Sequence, residues 1–312
     1  MEERLFNIII QELCSEMNIK MERLSYNWVF QLSKNGKIRH ITRNHFDINP
    51  QATGDIANDK YATYEVLKSQ DVPVIEHTMI FNPARRNQYI PEDGIWPIVI
   101  SELEKHKCLV VKPNNGCEGQ GVCLCHTLKE VETAIENIFQ NEASASICPY
   151  YNIKTEYRTF YLNGKIHFIY GKQKPCVIGD GKLSLGELID NLNLPTKKVV
   201  EDNLHMLDLT YIPKVQEKVN ISWKYNLSGG AIPVLVEKDE LYYKMEELAI
   251  KAGKAMNINF ATIDIIQTVD GNFYVMEINS GVCGTIFAKT VDNGYNIIKD
   301  IYRKALQALF QE

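Results

Sequence analysis

Asp264-Ile265-Ile266-Gln267-Thr268-Val269-Asp270-Gly271-Asn272-Phe273-Tyr274-Val275-Met276-Glu277-Ile278-Asn279 reads as a β-hairpin. Asp270-Gly271 is a strong two-residue turn signal between alternating apolar residues. With that turn, residues equally distant from it face each other, which sets Asp264 opposite Glu277. Like charges directly opposed across two strands are destabilising, and this pair lies among Ile263, Ile265, Val275 and Ile278. Asn279, two residues beyond Glu277, shares its face. Two carboxylates and one amide oxygen thus converge on a small volume. Hard oxygen ligands of this kind suit Mg²⁺, usually alongside phosphates and water. The alternatives are a solvent-facing pair, or a bulge that breaks the register.

Working back along the chain, Leu109 to Lys112 has the pattern of a buried strand. It runs into Pro113-Asn114-Asn115-Gly116-Cys117-Glu118-Gly119-Gln120-Gly121 and emerges as a second strand from Val122 to Cys125. The glycines leave backbone amides free to approach a phosphate, and Lys112 adds a positive charge. The loop is not a Walker motif, because the lysine precedes the glycines and no Gly-Lys-Ser/Thr ending follows. Nor is it a Rossmann fingerprint, since a strand rather than a helix comes next. Taken alone, it also reads as a mobile connection between strands.

Elsewhere the pattern predicts helices from Arg4 to Met17, from Asp59-Lys60 to Ser69, from Pro97 to Lys105 and from Leu128 to Phe139. Further helices are expected near Thr196 to Leu207, from Leu241 to Met256 and from Asn296 to Phe310, with one opened by Ser184 and Glu187 in capping-box spacing. Asn35-Gly36 and Asn163-Gly164 mark hairpins, and Gly179-Asp180-Gly181 a turn. Helices mixed with prominent hairpins indicate an α+β fold. A boundary falls near residue 150, dividing the chain into 1–51, a short helix and hairpin region; 52–150, which holds the glycine-rich loop; and 151–312, which holds the carboxylate hairpin.

With 312 residues there is room for about two domains. A net charge of −5 lacks the basic excess of a nucleic-acid binder. No apolar run reaches the roughly 20 residues of a membrane span, and the acidic start Met1-Glu2-Glu3-Arg4 argues against secretion. The eight scattered cysteines read as reduced thiols of a cytoplasmic protein. Cys123 and Cys125 share a strand face but fall short of the four ligands of a structural zinc site.

In order along the chain, Asp59-Lys60, Val111-Lys112-Pro113 with its glycine-rich loop, Glu156-Tyr157-Arg158, Asp264 and Glu277-Ile278-Asn279 resemble the ATP-grasp superfamily of carboxylate-amine ligases. Glu156-Tyr157-Arg158, Val177 to Gly181, Leu185 to Ile189 and Asn226-Leu227-Ser228-Gly229-Gly230-Ala231 look like the ATP-grasp portion of cyanophycin synthetase. Ribosomal-protein glutamate ligases and glutathione synthetases are more distant. The similarity runs over about residues 52 to 290.

The resemblance implies two α+β subdomains gripping ATP and, with it, two Mg²⁺ ions. Lys60 and Lys112 would contact phosphates and the adenine pocket, and Asn115, Gly116, Cys117, Gly119, Gln120 and Gly121 would close over the triphosphate. Ile147, Cys148, Pro149 and Tyr150 would form the hinge beside adenine, Glu156 would hold the ribose, and Asp264, Glu277 and Asn279 the metals. Arg158 and Lys172, preferred over Lys174, would meet the γ-phosphate or acyl-phosphate oxygens as catalytic groups. Asn226, Ser228, Gly229, Ser280 and Gly281 would face the acceptor. The implied reaction joins a small-molecule or peptide carboxylate to an amine such as an amino acid, through an acyl phosphate. A phosphotransferase and a nucleotide-binding scaffold are the alternatives. Relatives often form dimers or tetramers, so a homodimer is compatible with the resemblance.

The chain departs from the family in three places. Thr262 stands where many relatives carry an arginine, residues 1–51 are too few for the usual N-terminal domain, and Ser280-Gly281-Val282-Cys283-Gly284 lacks the proline that many relatives have there.

Overall fold

A computed structural model of the chain describes residues 3–85, 88–116, 119–192 and 207–311. Helix α1 (Leu5–Glu16) places Phe6, Ile9, Ile10 and Leu13 on one buried stripe. A four-stranded antiparallel meander follows: β1 (Lys20–Leu24), β2 (Val29–Lys34), β3 (Lys37–Thr42) and β4 (His45–Phe46). The β2–β3 turn is Asn35-Gly36, both with positive φ (50° and 76°), as a two-residue hairpin demands.

Two consecutive helices come next, α2 (Gln51–Asn58) and α3 (Lys60–Ser69). Asp59 ends one and caps the other, its Oδ1 accepting from the Ala62 N–H at 2.8 Å. Helix α3 spans the residues its sequence pattern predicts, whereas α2 carries too few apolar residues to announce itself.

The small sheet has the order β5-β8-β6-β7, from β5 (Thr78–Phe81), β6 (Leu109–Pro113), β7 (Cys123–Cys125) and β8 (Ser144–Pro149). Helices α4 (Trp96–His106) and α5 (Leu128–Phe139) cover it, with Val99, Val131 and Ile135 packed on Leu109, Val111 and Ile147. A Thr127/Glu130 capping box opens α5.

The large sheet has the order β13-β10-β9-β14-β15, all antiparallel: β9 (Ile153–Leu162), β10 (Lys165–Gln173), β13 (Ile232–Leu235), β14 (Phe260–Thr268) and β15 (Phe273–Asn279). Beside it lies a two-stranded sheet, β11 (Cys176–Ile178) with β12 (Lys218–Asn220), together with α6 (Leu185–Asp190), which opens with the expected Ser184/Glu187 box. Helix α7 (Glu240–Ala255) packs Met245, Ala249 and Ala252 against Tyr161, Ala261 and Ile263 on one face of the large sheet. Ala57 of α2 and Leu67 of α3 join that core, so these helices pack with the large sheet although they precede the small one in sequence. The other face buries Phe160 and Phe260 under α1, the meander and the last two helices, α8 (Thr285–Thr290) and α9 (Gly294–Phe310). The helix expected at Thr196 to Leu207 falls almost wholly outside the described residues.

The β14–β15 turn differs from the two-residue reading. Gln267 faces Phe273, and the Gly271 N–H donates to the Thr268 carbonyl at 2.9 Å, so Val269 to Gly271 form a three-residue turn with Gly271 at φ 90°. That offset is cancelled by a bulge, since Asp264 faces Glu277 but Ile265 faces Val275, leaving Met276 as the extra residue. The two irregularities compensate, and the carboxylates oppose each other as expected.

Where α7 crosses the large sheet, Gly253 leaves no room, because a Cβ there would sit 2.4 Å from the Tyr161 ring. Gly253→Ala is expected to destabilise the fold by about 1–3 kcal/mol through overpacking, read as a lower urea midpoint.

Candidate active site

A cleft of about 430 Å³ lies between the two sheets, within the usual range for small-molecule sites. Its floor is the large sheet. Strand alternation points Glu156 and Arg158 of β9 to the face opposite Tyr157. Register does the rest: Glu156 is opposite Lys172, and Asp264 lies between Arg158 on one side and Glu277 on the other.

The result is a buried lattice of alternating charge. Arg158 donates to both oxygens of Asp264, from Nε at 2.7 Å and from a terminal nitrogen at 2.6 Å. Lys172 donates to Glu156 and, at 3.3 Å, to Asp264 Oδ2. Burial pushes the Asp264 carboxyl up, but Arg158 and Lys172 outweigh it and hold its pKa below the ordinary value. Glu156 is raised, because burial there exceeds the pull of Lys172. Burial and Arg158 act to lower Lys172, yet the two carboxylates win and raise it.

Asp264, Glu277 and Asn279 all border the cleft. The Asn279 amide nitrogen, a hydrogen-bond donor, is buried and has no partner among the described residues, so this side chain is not anchored through that group. Among the described residues no three His, Cys, Asp or Glu side chains converge as a metal cluster. Asp264, Glu277 and Asn279 offer two carboxylates and a carboxamide, oxygen donors that suit a hard cation once Asp264 exchanges its bonds with Arg158 and Lys172.

The glycine-rich loop forms the roof. Lys60 Nζ donates to the carbonyls of Asn114 (3.2 Å) and Gly116 (2.8 Å), while the Tyr61 N–H donates to Asn114 Oδ1. Gly119 has φ 71° and lies so close to Asn226 that a Cβ would approach its Oδ1 to 2.7 Å. The roof thus meets the loop that follows β12. Lys60, Lys112, Gly116, Gly119 and Gln120 line the cleft. Gly121 packs on Pro113, and Asn115 accepts from the Asn114 side chain, so both serve the loop itself rather than the cleft wall. Cys117 lies outside the described residues. His77, buried beside these lysines, is held well below the ordinary imidazole pKa by burial, Lys112 and Lys60. It stays neutral, with Nδ1 2.7 Å from Ser146 Oγ, and adds no further cation.

At the hinge, Cys148, Pro149 and Tyr150 face the cleft, while the Ile147 side chain is buried in the small-sheet core. The base contact expected of this hinge is one of backbone groups, which the burial of the Ile147 side chain leaves as it was. Ile75, Val110, Ile266 and Met276 supply apolar walls, among them the residue extruded by the bulge. At the other end, Asn226, Ser228 and Gly281 line the cleft. Gly229 is buried away from it, and Ser280 turns its hydroxyl toward His45 Nδ1 at 3.3 Å. Lys174 stacks on Tyr225, leaving Lys172 as the buried lysine of the floor. Sequence reasoning missed Asn44, Trp223, Tyr225 and Phe287 as lining residues. The aromatic pair flanking Lys224, next to Asn226, was the available signal; Asn44 offered none.

Residues 216–304 match the RimK-like ATP-grasp domain. The bifunctional glutathione synthetase of Pasteurella multocida superposes on 95% of this chain and 44% of its own, with a TM-score of 0.56 at 19% identity. The chain has the ATP-grasp fold. In sequence, this ATP-grasp chain is 26% identical to the cyanophycin synthetase of Trichormus variabilis over 232 residues, which is 69% of the chain but 24% of that protein. It is 25% identical to the tetrahydromethanopterin:alpha-L-glutamate ligase of Methanocaldococcus jannaschii over 233 residues, 75% of the chain and 61% of the relative. The matched region thus spans about a quarter of the one relative and three-fifths of the other. No described helix is long and apolar enough to cross a membrane.

Lys172→Met tests the charge lattice. Leaving Glu156 without its cation is expected to cost about 3 kcal/mol near neutral pH. The Glu156 pKa, already raised, climbs further in the variant. A carboxyl raised in the folded state opposes folding above that value, so the deficit shrinks as pH falls through it. Urea unfolding of both proteins at about pH 8 and about pH 5 reads this directly.

Proposed function

We propose that this chain is an ATP-dependent ligase that forms an amide bond between a carboxylate and an amine through an acyl phosphate. The observation that carries the reading is the floor lattice: Arg158, Lys172, Asp264, Glu277 and Asn279 on one sheet face, beneath a glycine-rich loop. Such an array suits chemistry that must gather anions. A carboxylate is a poor electrophile, and phosphorylating it brings two negative groups together. The relatives' names, each a ligase or synthetase, support the same class.

In this reading the small-sheet body, from Thr78 to Pro149, and the large-sheet body, which includes α2 and α3, are the two gripping halves. Asp264, Glu277 and Asn279 would hold two Mg²⁺, which neutralise phosphate charge and polarise the transferred group. Lys112 and the backbone of Gly116, Gly119 and Gln120 cradle the triphosphate, with Lys60 fixing their loop. Cys148, Pro149 and Tyr150 flank the adenine, and Glu156 accepts from the ribose. Arg158 and Lys172 leave Asp264 for the transferring phosphoryl and the acyl-phosphate oxygens, supplying the charge that Thr262 cannot. The closed roof excludes water from the activated carboxylate. Asn226, Ser228 and Gly281 border the acceptor.

The test is ADP and phosphate release from the protein with Mg·ATP and pools of small carboxylates and amino acids, with mass spectrometry on each active pool. The expected result is release that needs both a carboxylate and an amine, with a product lighter than their sum by one water. Glu277→Ala is expected to lower turnover by at least about a hundredfold while leaving the fold intact. Full Mg²⁺-dependent activity in that variant would reject the metal-site assignment.

A further inference from the structure

The corner between β3 and β4 belongs to the N-terminal meander, before the residues whose sequence resembles the ligases, and it reaches the cleft. Arg43 turns the chain with φ 55°, and Asn44 is among the residues that border the cavity. Its backbone is fixed from both sides. The Asn44 carbonyl accepts from the Val282 N–H at 3.0 Å, just beyond the end of β15. Phe46, two residues on, is buried edge-on against Phe260, with ring centroids 5.1 Å apart. Between them, His45 sets its ring against Gly281, where a Cβ would come within 2.9 Å of the imidazole, and its Nδ1 meets Ser280 Oγ. Asn44 is therefore presented rigidly at the mouth of the segment that carries Gly281 and Cys283. The neighbouring wall, Gly281, Cys283 and Thr285, is uncharged.

We infer that Asn44 is a specificity-determining contact for one of the two organic substrates, and that His45 is a positioning residue that sets Gly281 beneath it. The inference rests on the ligase reading above. A carboxamide offers one donor group and one acceptor and carries no charge, so it pairs with a neutral group that both donates and accepts. The group recognised is thus a neutral hydrogen-bonding group on an amino-acid-like substrate.

The experiment uses the substrate pair found in the pools with Mg·ATP. Asn44→Ala removes only the side chain, so the Val282 hydrogen bond survives. It is expected to raise KM for one organic substrate about tenfold, the value of one hydrogen bond at the upper end of its range, with KM for ATP and kcat within about twofold. Asn44→Asp is expected to raise that KM at least as much, and a lowered KM would overturn the neutral-group assignment. Gly281→Ala is expected to raise the same KM by pressing on the imidazole, and adding His45→Ala in the same chain to restore it in part; failure of that rescue would overturn the positioning role. Wild-type turnover with both organic KM values unchanged in Asn44→Ala would overturn the Asn44 assignment and leave the ligase reading standing. Absence of phosphate release by the wild-type protein in every pool would overturn both.

Discussion

Four ionised side chains on one face of a β-sheet set the terms for the rest of this molecule. Glu156, Arg158, Lys172 and Asp264 are tolerable in the interior only because each acid has a base directly across the strand or one position away. A one-residue slip of β9 against β10 or β14 would turn these charges into the apolar layer beneath α7 and bring Tyr157 and Tyr161 into the cleft. The lattice thereby fixes register as firmly as the hydrophobic core does. The cations that satisfy Asp264 are also the ones the proposed chemistry would draw toward phosphate, so one set of side chains serves stability and reactivity in turn.

Much of this was legible in the sequence because it rests on local chemistry. The Asn35-Gly36 and Asn163-Gly164 turns, the α5 pattern with Thr127 before it and the Ser184/Glu187 box each contain their own cause. The pairing of Asp264 with Glu277 was reached on a simplified geometry: a three-residue turn and a bulge at Met276 offset each other. Both devices are invisible to a symmetric count, and the bulge has a use of its own, since Met276 ends up on the cleft wall.

What stayed hidden depends on tertiary packing. Helix α2 is polar and short, and is held by what Ala57 meets across the large sheet. Ile147 lies beside three hinge residues in sequence, but strand alternation sends it into the opposite core. Asn44 touches the cleft through a fold-back of the N-terminal meander, hundreds of residues in sequence from the loop it borders. No local pattern encodes such a meeting.

Lys60 belongs to α3, and α3 is rooted through Leu67 in the core of the large sheet. Its ammonium nevertheless holds two carbonyls of a loop that hangs from the small sheet. The covalent crossings between the two bodies run side by side near residues 75–77 and 150–152, tied where the Glu76 N–H donates to the Tyr151 hydroxyl at 3.1 Å. The small body is thus mounted like a door, with its hinge along one edge and Lys60 as the latch away from it. The two bodies are thereby joined a third time, without a covalent crossing, and a side chain of the one keeps the roof of the other in place over the floor.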